Sequence, residues 1–130
     1  GIPQIHFKRI PASKFNIGAI EIEPIHALHW ELPVLGFRFG DLAYITDANY
    51  IAPPELEKLQ QLKILILNAL RQEEHHSHFN LEQALSLADS LKVEQFYATH
   101  ISHQMGMHQE IQSNLPPQKF LAFDGLMLRP

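Results

Sequence analysis

Three short apolar runs in the middle of the chain each stop at a polar residue: LAYIT before Asp47, KILIL before Asn68 and QFYAT before His100. KILIL is continuously apolar, as a strand buried on both faces of a sheet requires. Helical spacings separate the runs, so the pattern is alternating strand and helix, with right-handed crossovers between parallel strands. In an open α/β sheet, ligands collect just beyond the carboxyl ends of the strands. An acid, an amide and an imidazole stand at three such ends, and His75 and His78 lie in a loop after the second. That combination marks a candidate metal-dependent site, and one that lacks some of its ligands.

The first half reads as extended chain. Residues 4–9 and 15–23 alternate as two strands, with a turn near Pro11 and Ala12. VLGFRF and LAYIT flank Gly40-Asp41, a dipeptide suited to a tight hairpin. Gly36 inside VLGFRF predicts a bulge or the close approach of another backbone. Pro53 and Pro54 open a helix, where a missing N–H costs little, and Leu56, Leu59 and Leu62 give it an apolar stripe. Asn80 with Gln83 resembles a capping box, followed at helical spacing by Leu81, Ala84, Leu85, Ala88 and Leu91. Residues 106–113 predict a short helix, and KFLAF and LMLR around Asp124-Gly125 predict a last hairpin.

No linker, repeat or low-complexity stretch divides residues 1–130, so they read as one unit of α/β class. At 130 residues, 45% of them hydrophobic and 18% charged, the chain can bury one real core but hardly two. A net charge of −4 without a Lys/Arg block gives no support to nucleic-acid or anionic-membrane binding. No apolar run approaches the roughly 20 residues of a membrane span, and no signal-peptide pattern opens the sequence. The absence of cysteine excludes disulfides, thiolate zinc sites and cysteine nucleophiles, and leaves the cytoplasm as the default compartment. The chain begins GIPQIHF without a methionine, which fits processing or a piece of a longer protein.

Nine histidines are present, six of them between His75 and His108. Asp47 is the strongest candidate for chemistry, because a strand-end carboxylate can bridge two divalent cations roughly 3.5–4 Å apart. As a residue alone it is equally a turn or cap aspartate before Pro53. His100, in THISH, is either a ligand of zinc, iron or manganese or a hydrogen-bonded core histidine. The RQEEHHSHFN loop is either a presenter of imidazoles or a polar surface loop, and the surface reading suits His76. His76 and His78 form H-x-H without the following Asp-His pair, so they are not read as a metal motif. His26 and His29 are three apart in extended chain and point to opposite faces, so at most one faces a site. There is no G-x-S-x-G elbow, Gly-rich phosphate loop or dinucleotide fingerprint.

Taken together, HWELPVLGFRFGDLAYITDANYI, LILNALRQEEHHSHFNLEQAL, FYATHISHQMGMH and LAFDGL resemble the metallo-β-lactamase-fold hydrolases. The nearest branch is that of the phosphoribosyl cyclic phosphodiesterases and their bacterial relatives. By that resemblance, His29, Asp47 and His100 match metal ligands, Asp47 being the bridging one. His78 matches a histidine that contacts the substrate phosphate and protonates the leaving oxygen. His75, His103, Asn68 and Asp124 fall at substrate-side or supporting positions. The family's H-x-H-x-D-H motif is absent. The resemblance therefore implies the C-terminal half of an αββα sandwich, inactive by itself, with an apolar sheet face open to self-association or to the N-terminal half. The intact protein would hold two divalent ions (zinc or manganese, or else iron) and cleave a small or cyclic phosphodiester through a metal-bridging hydroxide. A same-fold ribonuclease or lactonase-type hydrolase, and a non-catalytic binding or assembly domain, are the alternatives.

Overall fold

The computed structural model describes residues 3–129. Among these residues eight strands form one mixed sheet: β1 (Phe15–Ile17), β2 (Ile20–His29), β3 (Leu32–Phe39), β4 (Leu42–Ile45), β5 (Tyr50–Ile51), β6 (Ile64–Asn68), β7 (Gln95–Thr99) and β8 (Lys119–Leu121). Among the described residues three helices are interspersed, α1 (Pro53–Glu57), α2 (Leu81–Ser90) and α3 (His108–Asn114), with a 3₁₀ turn at His103–Met105. The spatial order is β1-β2-β3-β4-β6-β7-β8, and β5 pairs with β2. Strands β1 to β4 are antiparallel neighbours, whereas β4, β6, β7 and β8 run parallel. The carboxyl ends of β4, β6 and β7 therefore lie side by side, which is where Asp47, Asn68 and His100 stand.

Local chemistry explains most elements. Gly40-Asp41 closes β3 onto β4 with Gly40 at φ +56°. The Asn80 side chain accepts from the Gln83 N–H at 2.8 Å and the Gln83 side chain returns the bond at 3.0 Å, so the capping box forms. Helix α2 lays Leu81, Ala84 and Ala88 on β6 and β7. Leu59 after α1, Ile111 of α3 and these residues share one core with Ile25, Ile45, Leu65, Leu67 and Phe96. All three helices thus cover the same face of the sheet. At Gly36 a Cβ would stand 2.5 Å from the Ile45 Cγ1, so the close approach is real, but of a side chain and not of a backbone.

The other face carries a row in register across the sheet: Phe37, Tyr44, Ile66, Tyr97 and Phe120. Tyr97 and Phe120 stack at 5.0 Å. Tyr44 is 41% exposed, and Phe37, Ile66 and Phe120 are half-buried.

Three local expectations are corrected. Residues 4–9 form no strand; their apolar side chains are exposed, Phe7 at 92%, because no neighbouring strand pairs with them. Residues 15–23 are not one strand but the β1–β2 hairpin, turning at Gly18-Ala19 with Gly18 at φ +60°. At Asp124-Gly125 the turn exists, but residues 126–129 find no partner strand and Met127 is 85% exposed.

Candidate metal centre

Asp47 leaves β4 toward the sheet's carboxyl end, and its carboxylate is fixed on one side by the Thr46 hydroxyl, 2.6 Å from Oδ1. His100 follows β7 with φ +55°, a left-handed turn that brings its Nδ1 within 3.3 Å of the same Oδ1. His78 comes from the loop between β6 and α2, anchored by Phe79, whose N–H donates to the Ala48 carbonyl at 2.8 Å and whose carbonyl accepts from Leu70 at 3.0 Å. His78 Nε2 lies 3.9 Å from Asp47 Oδ2. Asp47, His78 and His100 each offer one ligand atom, all within 4.8 Å of one another. The His78 and His100 rings stack at 4.9 Å, and His29, at the end of β2, sets its ring against His78 at 4.5 Å and 75°.

The environment suits a cation. His78 Nε2 is buried without a hydrogen-bond partner and points at the Asp47 carboxylate, a cost that a bound ion or a hydrogen-bonding group of a substrate would relieve. Burial holds the His78 imidazole below its ordinary value of 6.5, and His29 adds to the effect while Asp47 opposes it. Burial also lowers His75, with His76 and Arg71 contributing. Both rings therefore favour the neutral form that coordination needs. The His29 Nδ1 lies 2.9 Å from the Ser77 carbonyl, which can only accept, so this nitrogen carries the proton and Nε2 keeps its lone pair.

The remaining candidates are placed differently. His29 adjoins the cluster through His78 but lies outside the compact triad. Asn68 is fully buried, and its amide pins residue Ala48, accepting from its N–H at 2.7 Å and donating to its carbonyl at 2.9 Å. It holds the chain just after Asp47 and does not face the triad. His75 sits behind His78, Nδ1 to Nδ1 at 3.2 Å. Asp124 shares with His100 and Phe123 a cleft of about 260 Å³. His103 lies exposed in the 3₁₀ turn and joins no such group. His26 points away from His29, and its backbone N–H is taken by Glu55 at 2.8 Å. His76 packs on Trp30 at the surface. Two broader depressions of about 500 and 530 Å³ along α2 contain no histidine and no part of this chemistry.

Two residues escaped the sequence reading. Thr46 orients Asp47, and Ser77, buried between two histidines, touches three imidazoles. A hydroxyl adjoining each candidate ligand in sequence is the only signal that pointed to either.

Residues 3–101 match the profile of the β-lactamase superfamily domain, and the chain belongs to that superfamily, a fold of metal-dependent hydrolases. Within it the affinity is to the PhnP branch. A diphosphatase of the PhnP family is 36% identical with a TM-score of 0.93, the match covering 97% of this chain and 49% of that one. The metallo-β-lactamase-fold protein YhfI from Bacillus subtilis superposes with a TM-score of 0.74 at 19% identity, over 94% of this chain and 54% of its own. An octanoyltransferase of Porphyromonas gingivalis is 35% identical over 117 residues, 89% of this chain but 24% of that protein. The chain thus spans about half the length of these solved relatives and about a quarter of that curated one. No described helix is long and apolar enough to cross a membrane.

Proposed function

We propose that this chain is the C-terminal half of a binuclear metal-dependent phosphodiesterase acting on a small or cyclic phosphodiester. The observation that carries the proposal is the convergence of Asp47, His78 and His100 on one point, with the buried Nε2 of His78 aimed into it. Asp47 and His100 would hold the cations together with His29, whose Nε2 lone pair is free. Bound there, zinc, manganese or iron would lower the pKa of a water and neutralise charge on the phosphoryl oxygens. Thr46 keeps the Asp47 carboxylate turned so that Oδ2 faces His78. His78, on the substrate side, would protonate the departing oxygen. The half-open row from Phe37 to Phe120 would receive the half of the fold that brings the other ligands.

A second reading, cleavage of a phosphoanhydride, draws support from the diphosphatase named among the relatives. The discriminating experiment is hydrolysis of a chromogenic phosphodiester and of a disubstituted diphosphate by the intact protein with manganese or zinc, against Asp47→Ala. Faster metal-dependent diester cleavage, lost in Asp47→Ala, supports the proposal; preference for the diphosphate moves it to the second reading. Bound metal with neither activity points to a lactone or other ester. Failure to bind metal at all points to a binding or assembly domain. His78→Ala is expected to lower turnover with metal content intact, and loss of metal instead would make His78 a ligand.

A further inference from the structure

Ser77 is 5% exposed and lies at the centre of the histidine cluster, and all its polar groups are engaged there. Its carbonyl oxygen takes the His29 Nδ1 proton at 2.9 Å. Its backbone N–H points at the His75 Nδ1 at 3.4 Å. Its hydroxyl oxygen stands 3.2 Å from the His75 Nδ1 and 3.1 Å from the His78 Nδ1. These two ring nitrogens are themselves 3.2 Å apart.

Proton counting leaves one consistent arrangement. A backbone N–H can only donate, so the His75 Nδ1 is an acceptor and neutral His75 carries its proton on Nε2. Two bare nitrogens 3.2 Å apart would repel, so with the His75 Nδ1 an acceptor the His78 proton sits on Nδ1. The Nδ1–H of His78 then donates to the Ser77 hydroxyl, which donates to the bare His75 Nδ1. The Ser77 N–H and O–H share the single lone pair of the His75 Nδ1, and among the described residues the buried side-chain nitrogen left without a partner is the His78 Nε2, the atom that faces Asp47.

We propose that Ser77 is a positioning residue of this centre, setting the tautomers of His29 and His78 so that both present a bare Nε2, with His75 as the final acceptor behind His78. Its carbonyl serves the first ring and its hydroxyl the second. For His78 the consequence is direct. A bare Nε2 can accept a proton released by the attacking water and give that same proton to the departing oxygen, while the Nδ1–H stays throughout on the Ser77 side, where two acceptors stabilise the transient imidazolium. Were Nε2 a metal ligand instead, the same tautomer would be required. The role in turnover rests on the hydrolase reading above; the tautomers do not.

The test is a proton–nitrogen correlation spectrum of histidine-labelled, zinc-loaded intact protein, which distinguishes protonated from bare ring nitrogens. The expected result is His29 and His78 protonated on Nδ1 and His75 on Nε2. Ser77→Ala keeps the backbone groups, so His29 should stay unchanged while His78 shows both tautomers. Turnover of bis(nitrophenyl) phosphate should fall about tenfold with KM unchanged, and Ser77→Thr should restore both readouts. His75→Phe, which removes only the final acceptor, should give the same mixing at His78 should Ser77→Ala fail to fold. A wild-type His78 protonated on Nε2, or a variant spectrum identical to wild type, overturns the proposal. Wild-type tautomers as expected in a protein that turns over no phosphate ester would overturn the phosphodiesterase reading and leave this one intact.

Discussion

Replacing Asn68 by alanine tests how the strand ends hold the centre. The Asn68 amide is fully buried and makes two bonds to one residue, accepting from the Ala48 N–H at 2.7 Å and donating to the Ala48 carbonyl at 2.9 Å. With 0% exposure at both Asn68 and Ala48, water does not readily substitute. A buried backbone group left without its partner costs about 1–3 kcal/mol; the Ala48 N–H loses its partner while the Ala48 carbonyl keeps the Phe79 N–H at 2.8 Å, so Asn68→Ala should destabilise by about 1–3 kcal/mol. That is a large share of the ~5–15 kcal/mol typical of a folded domain. Because Ala48 follows Asp47, metal affinity should fall as well. Urea unfolding of the intact protein reads the first effect, and metal titration the second. Asn68→Asp sharpens the argument. Its carboxylate would still accept from the N–H but would face the Ala48 carbonyl, so it must take a proton to restore the second bond. Its folded pKa is then raised, and the variant should gain stability as pH falls toward the carboxylate range. A loss below about 1 kcal/mol in Asn68→Ala, or an Asn68→Asp variant as stable as wild type at neutral pH, would refute the reasoning.

Gly36→Ala should cost about 1–3 kcal/mol by urea unfolding, since its Cβ would stand 2.5 Å from Cγ1 of the fully buried Ile45. Asn80→Ala removes the cap of α2 and should cost about 1 kcal/mol. Because Asn80 lies two residues beyond His78, the same variant should loosen the histidine loop in hydrogen exchange. For the metal-free protein, burial holds His78 below 6.5, so the unfolded chain binds more protons as pH falls. That contribution to stability is complete above 6.5, is lost as pH drops through and below it, and should be shallower in His78→Gln.

Legibility of the fold followed how local each cause was. The Asn80/Gln83 box and the Gly40-Asp41 turn satisfy their own backbone within a few residues, so both were readable, as was the helical spacing of α2. Residues 4–9 alternate as well as many strands, yet alternation supplies no pairing partner. The turn after β1 fell at Gly18, where a left-handed φ is free of strain, and not at Pro11. In the site, Asp47, His78 and His100 were visible by residue type and by position near strand ends. Asn68 was visible for the same reason, but its role is to brace Ala48.

The sequence by itself determined the alternating elements, the polar strand ends and the membership that their order implies, because periodicity, caps and turn residues act over a few positions. Only the tertiary structure decided which histidines meet. His29 and Ser77 are separated by 48 residues, and Asp47 and His100 by more still, and their contact depends on strand order and on loop anchors such as Phe79 to Ala48. The same holds for protons: which nitrogen of an imidazole is bare depends on whether a carbonyl or an N–H stands beside it, and no spacing along a chain encodes that.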